Sequence, residues 1–191
     1  CEYLNADPFI SFFLKENEIF ETKIIGDYNF ENIVFALSIG KYYGVDLKLA
    51  AEAICSYEPS QNRSQVIEKK NCTIILDAYN ANPTSVIKAL TNFSNIKGKR
   101  IVFLGDMFEL GKKSKNEHAK IGNILNDFNF EEVYLIGDEM IHAFENYPSA
   151  KYFKNKKELF QVLKELNFEN CTILFKASRG MQFEKIVKKI N

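Results

Sequence analysis

From Ser64 onward, short apolar runs alternate with amphipathic stretches, and this alternation constrains the fold more than any other feature of the chain. Runs such as Cys72-Thr73-Ile74-Ile75-Leu76 are nearly continuous in β-branched and apolar residues, the pattern of a strand buried on both faces. The strands expected are Gln65 to Glu68, Thr73 to Asp77, Arg100 to Leu104, Glu132 to Ile136, Ala150 to Phe153 and Thr172 to Lys176. Helical spacing fills the intervals. Val86, Ala89, Leu90 and Phe93 mark one helix, Ile121, Ile124, Leu125 and Phe128 a second, Leu159, Val162, Leu163 and Leu166 a third, and Phe183, Ile186, Val187 and Ile190 the last. Strands that alternate with helices specify an α/β fold, a Rossmann-like, mainly parallel sheet with helices on both faces.

The first third of the chain reads differently. Phe9 to Phe13 and Ile19 to Ile25 form a hairpin around Lys15-Glu16-Asn17-Glu18. Two helices follow, one over Asn29 to Tyr43 with Ile33, Ala36, Leu37 and Gly40 on one face, the other behind Asp46 as N-cap with Leu47, Ala50, Ala51 and Ile54. Tyr57 to Arg63 then breaks every period with Pro, Ser and Asn. The expected organisation is a small α+β piece over 1–58, a linker at 59–63 and the α/β domain over 64–191.

Bulk properties exclude several functions. Lys+Arg and Asp+Glu stand at 25 each, so no net field steers the chain toward nucleic acid. No apolar run approaches the roughly 18 residues of a spanning helix, so membrane insertion is not expected. Cys1, Cys55, Cys72 and Cys171 have neither metal-ligand nor disulfide-framework spacing, which suits reduced thiols in a cytoplasm. The start lacks the marks of a signal peptide and an initiator Met, so the expectation is a fragment of a longer chain.

Function is sought where polar residues collect. Asp77-Ala78-Tyr79-Asn80, Gly105-Asp106-Met107, Gly137-Asp138 and Lys176-Ala177-Ser178-Arg179-Gly180 each follow a strand, and parallel strands bring their carboxyl ends to one rim. Asn82 caps the helix that opens at Pro83. For Asp77, Asn80 and Asn82, cap and ligand contact are both compatible with the residues. Lys176, Ser178 and Arg179 offer two cations and a hydroxyl to an anion. Ser114 and Glu117 have capping-box spacing. His118 is read as a surface or packing residue and His142 as incidental, Asp106 and Glu109 as a pair or as solvated carboxylates, and Lys112, Lys113 and Lys115 as a solvated run. Neither a Gly-x-Gly-x-x-Gly nor a Gly-x-x-x-x-Gly-Lys-Ser/Thr loop occurs, which sets an NAD-linked oxidoreductase well behind.

Taken in order, Asn29-Phe30-Glu31-Asn32, Asn62-Arg63, Asp77 through Pro83, Leu104 through Gly111, the helix with His118 and Lys176 through Gly180 resemble the Mur ligases of peptidoglycan synthesis, from about Gly26 to the end. The resemblance implies an ATP-dependent ligase of three domains, of which this chain is the tail of the central ATPase domain followed by the C-terminal domain. It implies UDP-N-acetylmuramoyl-tripeptide and D-alanyl-D-alanine as substrates, joined through an acyl phosphate, with Mg²⁺ ligands and phosphate loop lying in the missing part. No catalytic residue and no metal ligand is therefore expected here, and the expected state is a monomer. Asn29 and Asn32 would lie by adenine, Arg63 and Asp77 would reach phosphates and ribose, and Tyr79 and Asn80 would belong to the same nucleotide corner. Asn82, Asp106, Ser178 and Arg179 would hold the dipeptide, with Lys176 helping to bind its carboxylate. Departures from the family pattern are Tyr28 in place of histidine, Leu76 in place of a second acid and Ala177 in place of glycine. From another class comes a stand-alone α/β module that binds a nucleotide or amino acid and catalyses nothing.

Overall fold

The computed structural model describes residues 1–14 and 18–190, which form two compact units, Cys1–Pro59 and Ser60–Asn191. In the first, β1 (Glu2–Ala6), β2 (Phe9–Phe13) and β3 (Ile19–Ile25) pair antiparallel in that order. Most of the hairpin's polar turn, residues 15–17, lies outside the described residues. Helices α1 (Phe30–Tyr42) and α2 (Leu47–Ser56) follow. Ile10, Phe12, Phe20, Ile33, Leu37 and Ala51 make the core of this unit. The Asp46 carboxylate caps α2 by accepting from the Lys48 and Leu49 N–H groups, as its position before the apolar period predicts. Ala36, expected on the inner face of α1, is exposed.

β1 carried no sequence signal because it is a largely exposed edge strand whose residues do not alternate in polarity.

The second unit holds a sheet in the order β4-β5-β9-β6-β7-β8, built from β4 (Gln65–Glu68), β5 (Cys72–Asp77), β6 (Lys99–Gly105), β7 (Glu132–Ile136), β8 (Lys151–Phe153) and β9 (Cys171–Lys176). β4 runs antiparallel to β5, and every other neighbour pair is parallel. Between the strands lie α3 (Pro83–Ser94), α4 (Ser114–Leu125), α5 (Ile141–Asn146), α6 (Lys156–Val162) and α7 (Glu184–Val187). The α/β expectation therefore holds, with one antiparallel edge strand. α5 escaped the sequence reading because it is a single short element with only Ala143 buried. The last helix is shorter than its spacing suggests, yet Phe183, Ile186, Val187 and Ile190 are all buried against the sheet.

Side chains of each strand alternate between two cores. Ile74, Ile101, Phe103, Tyr134, Ile173 and Phe175 face α6 and the C-terminal segment. Across that face Phe103 stacks on Tyr134 at 4.3 Å and on Phe175 at 4.6 Å, while Phe183 meets Phe175 edge-on at 6.1 Å. Such aromatic contacts add to the area they bury and fix the register of three strands and the tail. On the other side α4 crosses α5 so closely that a Cβ at Gly122 would stand 2.2 Å from the Ala143 carbonyl oxygen.

Backbone cannot step aside as a flexible side chain can, so Gly122→Ala is expected to destabilise the chain by about 1–3 kcal/mol in denaturant unfolding. A variant of unchanged midpoint would show that the α4–α5 contact is looser than described.

Candidate functional site

Because β5, β9, β6 and β7 are parallel and in register, Asp77 stands beside Lys176, Lys176 beside Leu104, and Gly105 beside Ile136. Their following loops share one rim, as the sequence suggested. The polar groups on that rim divide into those that hold the loops and those that face solvent.

Lys176, which the sequence offered to an anion, belongs to the first kind. Its side chain lies within the sheet edge, 3% exposed, and its ammonium donates to Asp77 Oδ2 and to the Asn80 carbonyl oxygen, both at 2.8 Å. An ammonium so enclosed has its charge met inside the protein by a carboxylate, with two of its three N–H donors engaged. Asp77 is engaged on both oxygens, since Oδ1 accepts from the Ser64 N–H at 3.4 Å. Each carboxylate oxygen keeps a further lone pair, so a hydroxyl donor can still approach it. Asn82 caps α3 in full: Oδ1 accepts from the Ser85 N–H at 2.9 Å, and Ser85 Oγ accepts from the Asn82 N–H at 3.0 Å.

The turn before β4 is unusual. Gln61, Asn62 and Ser64 all have positive φ, at 55, 62 and 45°. Asparagine tolerates this conformation, and here it is pinned. Asn62, 8% exposed, accepts the Ala78 N–H on its carbonyl at 2.8 Å and donates from Nδ2 to Glu184 at 3.3 Å. Asn62 and Arg63, expected in a linker, are thus part of the second unit. Arg63 lies over the Tyr79 ring at 3.7 Å, a cation–π contact that leaves the guanidinium edge outward on an exposed turn. Glu184 also pairs with exposed Arg179 at 3.5 Å, so one carboxylate ties the Asn62 turn to the loop after β9. Glu184 carried no sequence signal, being one acid among many in a helical stretch.

Asp106 is the frame of the loop after β6. It is 5% exposed, and its Oδ1 accepts the N–H groups of Glu139 at 3.1 Å and Met140 at 3.0 Å. Gly137 has φ 134°, and a Cβ there would fall 2.2 Å from the same oxygen, so glycine is required for the carboxylate to reach the loop. Burial pushes the Asp106 carboxyl from 3.8 up to about 6, against the downward pull of the two N–H donors. The Met107 N–H donates to Nε2 of His118 at 3.0 Å, while Nδ1–H of His118 donates to the Ser114 carbonyl at 2.8 Å. That fixes a neutral tautomer, and burial lowers the imidazole's pKa. The Phe108 N–H donates to Ser178 Oγ at 2.8 Å. His118 and Ser178 thereby clamp the successive residues Met107 and Phe108, while Asp106 clamps Glu139 and Met140 in the loop after β7.

Two further expectations change. The Ser114–Glu117 capping box is absent, because a 3₁₀ turn at Gly111–Lys113 leads into α4 and places Ser114 inside the helix. Ser114 Oγ donates to Glu139 instead, and Glu117 pairs with Lys120 at 2.7 Å. Asp106 is buried and engaged by two backbone N–H groups whereas Glu109 is exposed, so of the two only Glu109 is a solvated carboxylate. Asn29 and Asn32, in the first unit, are joined side chain to side chain at 2.9 Å, and Asn29 also donates to the Ile25 carbonyl at 2.8 Å.

On the rim of the second unit, Arg63, Tyr79, Asn80, Asn82 and Arg179 are exposed, above a frame of Asp77, Asp106, Lys176 and Ser178. This arrangement presents two guanidinium groups, two amides and one tyrosine to solvent. Among the described residues no group of three or more His, Cys, Asp or Glu side chains converges on a point where a metal could sit.

Asp106 gives a pH test with a definite sign. Its folded pKa is raised, so the folded state binds the proton more tightly, and its stabilising contribution is complete below about 3.8 and is lost as pH rises through about 6. Asp106→Asn keeps an acceptor for both N–H groups and removes the titration. The stability of the native chain relative to this variant should fall by on the order of 2–3 kcal/mol over that window, read from denaturation at several pH values. Parallel stability curves would contradict the buried carboxyl.

Comparison with known proteins places these features. The profile of the domain described as Mur ligase, glutamate ligase domain matches residues 62–179. The UDP-N-acetylmuramoyl-tripeptide--D-alanyl-D-alanine ligase of Bacillus subtilis (strain 168) is 33% identical over 186 residues, covering 92% of this chain and 40% of that protein. The ligase of the same name from Buchnera aphidicola subsp. Baizongia pistaciae is 35% identical over 177 residues, covering 91% of this chain and 38% of its own. The chain thus spans about 40% of the length of such relatives. In fold it is similar to a crystal structure of MurF from Acinetobacter baumannii, with TM-score 0.87 at 24% identity over 98% of this chain and 44% of that one. It is also similar to MurF ligase from Thermotoga maritima in complex with ADP, with TM-score 0.75 at 22% identity over 98% of this chain and 44% of that one. With the domain profile matched across the rim residues from Asn62 to Arg179, the chain belongs to the Mur ligase family.

Proposed function

We propose that this chain is the C-terminal part of an ATP-dependent amide ligase that adds D-alanyl-D-alanine to UDP-N-acetylmuramoyl-tripeptide in peptidoglycan synthesis. The observation that carries the reading is the 33% identity, over 92% of the chain, to a relative bearing that name. The rim's chemistry agrees with it. Arg63, held over Tyr79, presents a cation beside the Asp77 corner, which suits a nucleotide's phosphates and ribose, with Asn80 in the same corner. Asn29 and Asn32, a linked amide pair, are the candidates for the adenine edge.

For the dipeptide the exposed groups are the better contacts. Arg179 suits its carboxylate by charge-assisted hydrogen bonding, and Asn82, whose Oδ1 is spent on the helix cap, has its amide N–H groups for a carbonyl. Asp106 then acts through the loop after β7 and Ser178 through the loop after β6, and Lys176 through Asp77 and Asn80. In the reaction a carboxylate is phosphorylated by ATP, the dipeptide amine attacks the acyl phosphate, and phosphate leaves. Holding these partners in line is the work this rim is suited to. Magnesium accompanies ATP in this reading, and the described residues offer no three-ligand cluster for it. A cytoplasmic monomer is part of the same proposal; no helix among the described residues is long and apolar enough to cross a membrane. Movement within the Tyr57 to Arg63 segment would let the second unit close on substrates, as such reactions require.

The chain has no phosphate-cradling glycine loop in its sequence, and one well-placed transition-state donor is worth about 2.7–4 kcal/mol. Purified alone with ATP, UDP-tripeptide and D-alanyl-D-alanine, it should form no amide above the uncatalysed rate, whereas a longer protein containing it should. Product from the chain alone, or no ligation by the longer protein, would refute the reading.

A further inference from the structure

At the amino edge of the second unit's sheet, opposite the rim, lies a pocket of about 420 Å³ where β9 enters between β5 and β6. That volume lies within the range of small-molecule sites. Three segments line it: the β4–β5 turn with Lys69 and Lys70, the α3–β6 turn with Lys97 and Lys99, and the lead into β9. Among the described residues none of these four lysines forms an ion pair. Two acids share the lining, and one of them, Glu68, already accepts the Thr73 hydroxyl at 2.9 Å. The buried thiols of Cys72 and Cys171 stay protonated, since burial pushes both upward, Cys171 to about 11, so they add no opposing charge.

A chain with balanced total charge has thus set four lysines, none in a close ion pair, against the two acids Glu68 and Glu169 around one concavity, with Glu132 near enough to Lys99 to interact with it. Unpaired like charges within one pocket repel each other and are relieved by an anion that spans them. We infer that this pocket binds a compact multivalent oxyanion of the polyphosphate class, free or as the phosphate chain of an ester. The four lysines stand on two of the three segments, and a chain of linked phosphates spans two segments better than a single orthophosphate does. The inference goes beyond the ligase reading and uses none of its residues.

Calorimetric titration of the chain with inorganic tripolyphosphate tests it, alongside ¹⁵N-amide shift mapping. The expected result is saturable binding that weakens with salt, with shifts at Lys69 to Thr73, Lys97 to Lys99 and Glu169 to Thr172. Lys97→Gln/Lys99→Gln should weaken it about tenfold or more, and so should Lys69→Gln/Lys70→Gln, while Arg63→Gln/Arg179→Gln should leave it unchanged. A nucleoside triphosphate bound as tightly as tripolyphosphate would assign recognition to the phosphates. Non-saturable heat, shifts confined to the carboxyl rim, orthophosphate binding as tightly as tripolyphosphate, or lysine variants of unchanged affinity would each overturn the inference.

Discussion

The buried ammonium of Lys176 is the constraint on which the carboxyl rim depends. A lysine 3% exposed at the end of a central strand is tolerated only if its charge is met, and here Asp77 on the next strand and the Asn80 carbonyl meet it. That one group therefore sets where β5 ends and how the following turn leaves the sheet. From the same carboxylate the Ser64 N–H is drawn in, and the adjacent Asn62 locks onto Ala78 and Glu184. Buried pairs contribute little net stability against apolar replacements, but they penalise arrangements that leave one partner alone. Here the pair specifies a corner.

The same logic repeats along the rim. Asp106, His118 and Ser178 each satisfy a backbone N–H of a neighbouring loop, so the loops after β6, β7 and β9 are fixed by side chains that face inward. Exposed Arg63, Tyr79, Asn82 and Arg179 then stand on a frame whose geometry is decided before any ligand arrives. A rigid frame under a few outward polar groups is what positioning chemistry needs, because small misplacements cost large factors in rate. Under the proposed ligase reading, such a frame would help to bring two reactive partners together, its residues orienting rather than reacting.

Much of this was legible in the sequence. Strands buried on both faces announce themselves by continuous apolar runs, and Gln65–Glu68 and Glu132–Ile136 fall where those runs predict. The rim followed from parallel topology, and Asn82 before Pro83 is a local signal that local geometry obeys. What stayed hidden depends on contacts far apart in the chain. Charge type marks Lys176 as a cation but not that it turns inward onto Asp77, and the spacing of Ser114 and Glu117 cannot show that a 3₁₀ turn has already begun the helix. His118 reads as a packing residue, which it is, yet its role as acceptor for Met107 appears only when the loop folds over it. Short elements such as α5 lack enough periods to stand out from their surroundings.

If Lys176 holds the rim, removing its charge must loosen the rim first. Amide hydrogen exchange on Lys176→Met, which keeps the apolar stem and leaves Asp77 without its cation, measures this directly. Protection at Ser64, Ala78 and Ser178 should drop about tenfold or more beyond any change at mid-strand amides from Ile101 to Leu104. Equal loss at rim and mid-strand, or rim amides as protected as before, would contradict the account.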